Sequence, residues 1–268
     1  MRYYSENWVH GTGPGPVIKP IDPGTRKKPI WPWLLLGLLG VAALAFFLWP
    51  KSSTDWEKAV VVVVAEDTKS AGTGSIIRPD GYILTNKHVV SPDGSPGKKF
   101  LVLLNSGKKD VERYDATLVA SGQGDPKVKM SDDWAILKIT PKSPNLPYLH
   151  IGRSDTAKLE MPIFSVGFPS ESEFSGNGPN LKSEKGTITR LSMNQQEAIV
   201  VLVHSAPLIP GNSGGPLLNE ARELIGMNTQ FHQAKDPQGK PYGGQDNLAI
   251  PTLELPEALK FSKDNPYK

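Results

Sequence analysis

Short runs of β-branched and aliphatic residues recur along most of the chain and constrain its fold more than any other feature. Glycine, proline, asparagine and aspartate separate the runs, and no helical period repeats between them. Closely spaced runs of this kind are typical of β-barrels and β-sandwiches, not of alternating strands and helices. We predict strands at residues 59–65, 75–77, 82–84, 100–105, 115–121, 134–139, 162–168, 185–191, 198–204, 216–219, 223–229 and 247–251.

The predicted strands fall into two groups. About six precede residue 140 and about six follow residue 160, and the segment 140–155 joins the groups. This division predicts an all-β fold with two similar lobes, at about 59–145 and 155–262. Only TLELPEALKFS, at residues 252–262, has the pattern of a short helix.

A separate feature is an uncharged apolar segment, IWPWLLLGLLGVAALAFFLWP, at residues 30–50. As a helix it would be roughly 30 Å long, the thickness of a bilayer's hydrocarbon core. Trp31, Trp33 and Trp49 stand at its ends, where the membrane interface favours aromatic rings. A buried core helix is one alternative, and a cleaved signal peptide is a stronger one. Because the preceding region is long and no A-x-A-like cleavage site follows, we predict an uncleaved transmembrane anchor.

The charge distribution predicts the orientation of this anchor. The chain carries a net charge of +3, all of which comes from residues 1–29, and an Arg-Lys-Lys cluster at 26–28 directly precedes the apolar segment. Positive charge of this kind favours the cytoplasmic side, so we expect the Pro- and Gly-rich arm 1–29 to be cytoplasmic and disordered. Residues 51–58 then form a tether, and residues 59–268 lie in the periplasm or an equivalent extracytoplasmic space.

The composition excludes several classes of function. The chain has no cysteine, which rules out disulfides, thiolate metal sites and a cysteine nucleophile. Its five histidines lack metal-ligand spacing, and we expect no metal and no cofactor. Residues beyond 29 sum to zero charge, so the basic stripe of a nucleic-acid-binding domain is missing.

The segment L-I-P-G-N-S-G-G-P-L, at residues 208–217, contains a candidate nucleophile, Ser213. By itself the segment is typical of a surface turn. A serine hydroxyl becomes a nucleophile when a histidine takes its proton and a carboxylate orients that histidine. In an α/β-hydrolase both partners follow the serine, but here only His232 follows, and the remaining chain is too short for that sheet. A subtilisin-like order would need an α/β pattern that the sequence lacks.

The order His, Asp, Ser remains, and the first lobe supplies candidates for it. His88 lies at the end of a predicted strand in ILTNKHVV, and Asp133 precedes the strand WAILKI. Each residue by itself could be structural, and chain order also allows Asp132, Asp115 and Asp125 as the carboxylate. Neighbouring strand residues point to opposite faces, so at most one of Asp132 and Asp133 can face His88.

Several segments resemble, in the same order, the signature segments of HtrA/Deg-type serine proteases, which have the trypsin-like (chymotrypsin) fold. They are GTGSIIRPDGYILTNKHVV, DWAILKI, VGFPS, GTITRL, IPGNSGGPLLN, ELIGMNT and NLAIP, and the match spans roughly residues 59–262. The resemblance implies two six-stranded antiparallel β-barrels with a short C-terminal helix. It also implies His88 as general base, Asp133 as its orienting carboxylate and Ser213 as nucleophile. The N–H groups of Gly211 and Ser213 are then expected to form the oxyanion hole.

The resemblance also predicts how a substrate would bind. An extended peptide is expected to pair with the strand GMNTQ, at residues 226–230, through Gly226, Met227 and Asn228. Leu208 and Ile209 precede the nucleophile and suggest a pocket for small or medium apolar side chains. Proteases of this type often carry PDZ domains, whereas this sequence stops at Lys268, so we expect no PDZ domain here.

These expectations combine into one functional hypothesis and two alternatives. The hypothesis is a membrane-anchored, extracytoplasmic serine endopeptidase that cleaves misfolded or regulatory proteins and can form homo-oligomers. The first alternative is a membrane-tethered chaperone or peptide-binding module on the same fold, without catalysis. The second is an esterase that uses the same triad.

Overall fold

The computed structural model describes residues 55–94, 97, 99–143, 145–170, 176–235, 238 and 241–267. The predicted cytoplasmic arm (1–29) and transmembrane anchor (30–50) lie outside the described residues, as does the first half of the predicted tether, 51–54. Within the part of the chain that is described, we find no helix with the length and apolar character needed to cross a membrane.

The first half of the described chain forms a closed six-stranded barrel with the strand order β1-β2-β3-β6-β5-β4. Neighbouring strands pair antiparallel throughout. Buried valine, isoleucine and leucine side chains fill its interior, as the apolar runs predict. The strands are β1 (Val60–Ala65), β2 (Ser70–Arg78), β3 (Tyr82–Thr85), β4 (Phe100–Leu104), β5 (Glu112–Ser121) and β6 (Ala135–Ile139).

The second half repeats this architecture with the closed strand order β10-β11-β12-β9-β8-β7, again antiparallel. Short helices complete the described structure: α1 (Lys87–Val90) after β3, and α2 (Pro256–Leu259) near the C-terminus. The strands are β7 (Pro162–Gly167), β8 (Lys182–Met193), β9 (Ile199–His204), β10 (Pro216–Leu218), β11 (Leu224–Lys235) and β12 (Pro241–Pro251).

The prediction of an all-β fold with two six-stranded barrels is confirmed, and the differences lie in strand boundaries. β2 begins at Ser70 because the glycine-rich stretch before Ser75 is strand, not turn. A Cβ on Gly72 would lie 2.9 Å from the carbonyl oxygen of Ser213 and 2.7 Å from Val89. Glycine is therefore required there because another main chain approaches the strand closely.

The expected short C-terminal helix is present, as a 3₁₀ turn at Thr252–Glu254 followed by the four residues of α2. The expected position of His88 is corrected. His88 lies within α1, not at the end of a strand.

Candidate active site

His88 and Asp133 meet because their flanking strands pair. β3 and β6 are neighbours with Thr85 opposite Ala135, so the residues just after β3 and just before β6 lie side by side. The Nδ1 atom of His88 lies 2.8 Å from Oδ2 of Asp133. The main-chain N–H of His88 donates to Oδ1 of the same carboxylate at 3.0 Å. Both carboxylate oxygens of Asp133 therefore bond to His88, and the imidazole is held in a defined orientation.

Two further residues hold Asp133 in place, one through its carboxylate and one through its main chain. The hydroxyl of Thr229, from β11, donates to Oδ2 of Asp133 at 2.7 Å. The side-chain amide of Asn86 donates to the main-chain carbonyl of Asp133 at 2.9 Å. Burial, which leaves Asp133 only 3% exposed, raises the pKa of its carboxyl. The bonds and charge of His88 and the Thr229 hydroxyl more than offset burial, so the net pKa lies below its ordinary value.

The competing carboxylates do not occupy this position. Asp132 lines a different cavity, together with Lys129 and Glu254. Asp115 is exposed on β5, and Asp125 accepts the main-chain N–H of Lys127 in a surface turn. Of the four candidates, Asp133 is the one that contacts His88.

Ser213 lies in the loop between β9 and β10, at the same cleft as His88. Its main-chain carbonyl accepts the N–H of Thr73 at 2.8 Å, which ties this loop to the first barrel. Its hydroxyl donates to the main-chain carbonyl of Thr229 at 3.0 Å. Among the described residues, no hydrogen bond joins Ser213 to His88.

Hydrogen bonds hold the backbone of the loop before Ser213 on both sides of Gly211. Gly211 has a φ of +98°, which favours glycine. The carbonyl of Pro210 accepts the N–H of Ser170 at 2.9 Å, and the N–H of Asn212 donates to the carbonyl of Ile209 at 3.1 Å. The N–H groups of Gly211 and Ser213 have no acceptor among the described residues.

These residues border a cleft of about 430 Å³. Leu208 and Ile209, which the sequence suggests for a substrate pocket, line this cleft. Sequence reasoning missed Pro126, Lys127 and Met130, which line the cleft from the loop that leads to Asp133. The Asp-Pro pair in that loop is a turn signal that could have drawn attention to it. The remaining lining residues are His88, Asp133, Pro210, Asn212, Ser213, Thr229, Gln230 and Phe231.

The expected pairing of a peptide with Gly226, Met227 and Asn228 needs correction. Gly226 and Met227 pair with β10 on one side and β12 on the other. Asn228 pairs with Ala249 of β12 and exchanges main-chain hydrogen bonds with the loop after Ser213. Both edges of this stretch are occupied, so these three residues cannot pair with a substrate strand.

A free strand edge begins one residue later. In the described structure, β10 pairs with β11 only as far as Met227, so the stretch 229–231 has one edge without a strand partner. The residues of this stretch line the cleft beside Ser213. An extended peptide can add main-chain hydrogen bonds at such an edge.

Comparison with known proteins identifies the family. The family described as "Trypsin-like peptidase domain" matches residues 72–227, which is more than half of the chain. The chain belongs to this family. The matched residues of the peptidase domain include His88, Asp133, Ser213 and the loop that carries Gly211.

Individual relatives show which trypsin-like peptidases this chain is similar to. A protein named "Probable periplasmic serine endoprotease DegP-like", from Chlamydia pneumoniae, is 38% identical over 161 residues, covering 59% of this chain and 28% of the relative. A protein of the same name from Pseudomonas savastanoi pv. phaseolicola is 35% identical over 165 residues, covering 62% of this chain and 30% of the relative. The match thus spans less than a third of these curated relatives.

Solved structures agree with these sequence relatives. The structure "HtrA-type protease AlgW with tripeptide" is 28% identical with a TM-score of 0.58, covering 78% of this chain and 62% of that one. The serine endoprotease from Yersinia pestis is 26% identical with a TM-score of 0.53, covering 76% of this chain and 62% of that one. The resemblance of the peptidase domain to HtrA/Deg-type proteases is confirmed.

Proposed function

We propose that the chain is a serine endopeptidase in which His88, Asp133 and Ser213 form the catalytic triad. The observation that carries the proposal is the doubly bonded His88–Asp133 pair, at 3.0 and 2.8 Å, in the cleft that also contains Ser213. The DegP-like names of the relatives and the HtrA-type structures support proteins or peptides as substrates. No described group of histidine, aspartate and glutamate residues could hold a metal ion, and the proposed chemistry requires none.

In the proposed mechanism, a substrate adds to the free edge of β11 at 229–231. Its main-chain N–H competes for the Thr229 carbonyl, to which the Ser213 hydroxyl is bonded, and the released serine turns toward His88. Ser213 Oγ attacks the peptide carbonyl carbon while Nε2 of His88 takes its proton. The Asp133 carboxylate holds the Nδ1–H tautomer and stabilises the imidazolium that forms.

The tetrahedral intermediate places negative charge on the former carbonyl oxygen. The N–H groups of Gly211 and Ser213 are the donors we assign to this oxygen. His88 then gives its proton to the leaving amine, the carbon–nitrogen bond breaks, and an acyl-enzyme remains on Ser213. Water deprotonated by His88 releases the acid and restores the serine.

We further propose that the enzyme is anchored by residues 30–50 and acts outside the cytoplasm. The uncharged apolar segment behind an Arg-Lys-Lys cluster supports the orientation, and the periplasmic relatives support the compartment. Misfolded or regulatory proteins are then the expected substrates, and homo-oligomers are an expected form of the enzyme.

The second candidate function is a peptide-binding module without catalysis. The bond from the Ser213 hydroxyl to Thr229, instead of His88, favours this alternative. It would use the same free edge of β11 and the same cleft, so binding of a peptide alone does not separate the two functions.

A serine-reactive fluorophosphonate probe on the full-length chain separates them. We expect wild type to be labelled and Ser213→Ala not to be labelled, because only an activated serine hydroxyl attacks the phosphorus. Ser205→Ala is the matched control, since Ser205 is an exposed serine outside the cleft, and it should label like wild type. Absence of labelling in folded wild type contradicts the peptidase and favours the binding module. If wild type is labelled, cleavage of casein distinguishes a peptidase from an esterase.

Lys127 gives a prediction about substrate preference. Its exposed side chain lines the same cleft as the free β11 edge, and no salt bridge to a described carboxylate involves it. Acidic side chains in the residues before the cleaved bond should therefore be favoured. In a peptide library varied at those residues, Lys127→Gln should lower kcat/KM about two- to five-fold for acidic peptides only, the size expected of an exposed ion pair.

The control for this preference is two residues away. Lys129 is also exposed, but it lines the separate cavity beside Glu254. Lys129→Gln makes the same change in net charge and should leave the preference unchanged. Equal effects of the two substitutions would show that Lys127 makes no local contact with substrate. An effect of Lys127→Gln that persists in high salt would show that the preference does not come from an exposed ion pair.

A further inference from the structure

Thr73 lies on β2 of the first barrel, is completely buried, and bonds to the loop that carries Ser213 in the second barrel. Its hydroxyl donates to the carbonyl of Gly211 at 2.7 Å. The same oxygen accepts the N–H of Phe168, at the end of β7, at 3.0 Å. Its main-chain N–H donates to the carbonyl of Ser213 at 2.8 Å. One threonine thus contacts main-chain groups of the loop on both sides of Asn212.

The directions of the Gly211 and Ser213 N–H groups are fixed by hydrogen bonds to the carbonyls of the preceding residues, Pro210 and Asn212. In a planar trans peptide the C=O and the following N–H point in opposite directions. The Pro210 carbonyl is held by the N–H of Ser170, and the Asn212 carbonyl by the N–H of Gly215. These two bonds fix the orientation of the two peptide planes that carry the N–H groups of Gly211 and Ser213.

The peptide between Gly211 and Asn212 connects those two units, and Thr73 is the residue that holds its carbonyl. Rotation of this peptide changes ψ of Gly211 and φ of Asn212, and would turn the two outer N–H groups relative to each other. Glycine offers little resistance to such rotation because it has no Cβ. The hydroxyl of Thr73 therefore supplies a restraint that Gly211 itself lacks.

We propose that the Thr73 hydroxyl is a positioning residue for the oxyanion hole, acting through the carbonyl of Gly211. This role rests on the proposed peptidase function, because the two N–H groups matter only if an oxyanion forms between them. Thr73 touches neither the substrate nor the reacting atoms in this role. It couples the packing of the first barrel to the geometry of the nucleophile loop in the second.

Thr73→Val tests the proposal, since valine keeps the shape and the main-chain N–H but removes the hydroxyl. Loss of one oxyanion donor lowers kcat by about 10²–10³. Loss of a residue that only positions the donors should lower kcat less, by about 10- to 100-fold, with little change in KM because ground-state binding is retained. Thr73→Ser keeps the hydroxyl and should restore kcat to within a few-fold of wild type.

Thr85→Val is the matched control. Thr85 is also a completely buried threonine, and its hydroxyl donates at 2.7 Å to the carbonyl of Thr73, not to the nucleophile loop. It should lower the Tm as Thr73→Val does and leave kcat near wild type. Equal losses of kcat in both variants, or an unchanged kcat in Thr73→Val, would overturn the positioning role.

A second measurement separates this proposal from the peptidase function. In ¹⁵N–¹H spectra of the full-length chain, the Gly211 and Ser213 amide resonances should shift in Thr73→Val, return in Thr73→Ser, and stay unchanged in Thr85→Val. Unmoved resonances refute the role of Thr73 whether or not the protein is an enzyme. Failure of wild type to react with the fluorophosphonate refutes the peptidase function, while the resonances still report on Thr73.

Discussion

Asp133→Asn is expected to lower kcat/KM for a peptide substrate by about 10⁴-fold while the barrels stay folded. The Asp133 carboxylate accepts at both oxygens, from the main chain and the ring of His88, and from the Thr229 hydroxyl. Asparagine has only one acceptor oxygen, so its NH₂ group must face one of these donors. If that group faces Nδ1, the ring proton moves to Nε2, and His88 cannot take the proton of Ser213.

Asp132→Asn is the control for this prediction. The substitution removes a neighbouring carboxylate, which lines the cavity beside Lys129 and Glu254 and not the cleft of Ser213. The kcat/KM of Asp132→Asn should therefore stay within about twofold of wild type, the size expected for a surface charge. Steady-state kinetics at pH 7, together with circular dichroism to verify folding, make the comparison. A folded Asp133→Asn with near-normal activity would contradict the assignment of Asp133.

Gly211→Ala is expected to lower kcat by about 10²–10³-fold, comparable to the loss of an oxyanion-hole donor. A Cβ at this position would lie 2.4 Å from the carbonyl oxygen of Phe168 and 2.7 Å from the nitrogen of Ser170. Real Cβ atoms do not approach main-chain atoms so closely, so the loop must shift. The shift displaces the Pro210 carbonyl from Ser170 and turns the Gly211 N–H away from the oxyanion.

Gly94→Ala separates this displacement from simple backbone strain. Gly94 also has a positive φ, +87°, but a Cβ there would meet no atom within 4 Å. Both variants incur the conformational cost of a left-handed residue, about 1–2 kcal/mol, in the free energy of unfolding. Only Gly211→Ala should lose kcat. A retained kcat in Gly211→Ala, measured with an ester or peptide substrate, would show that the Gly211 N–H does not stabilise the reaction.

The sequence was informative where a local pattern has one structural solution. The apolar runs and their turn residues predicted twelve strands, and each has its counterpart in a barrel strand. The runs sufficed because a half-buried strand requires alternating or continuous apolar residues whatever it packs against. β2 begins earlier than the sequence predicts, and this difference has a physical cause. The close approach of the Ser213 main chain requires glycine at position 72, so the start of this strand has no apolar run.

The sequence was less informative where the answer depended on which edges remain unpaired. The segment 226–230 was identified correctly as a strand, but its first three residues are paired on both sides. The free edge at 229–231 exists because β10 begins only at Pro216, which pairs with Met227. Strand length and register across the barrel decide this, and neither can be read from the segment itself.

By itself, the sequence determined the all-β class, the division into two lobes, the family resemblance and the three candidate triad residues. Each of these depends on residue type and chain order, which the sequence contains directly. Only the tertiary structure decided that Asp133, and not Asp132, contacts His88, and that the Ser213 hydroxyl bonds to Thr229. It alone brought Thr73 to the carbonyl of Gly211, 138 positions away in the chain. Hydrogen bonds form only when the donor–acceptor distance is right to within a few tenths of an ångström, and local sequence does not specify such distances between groups that folding brings together.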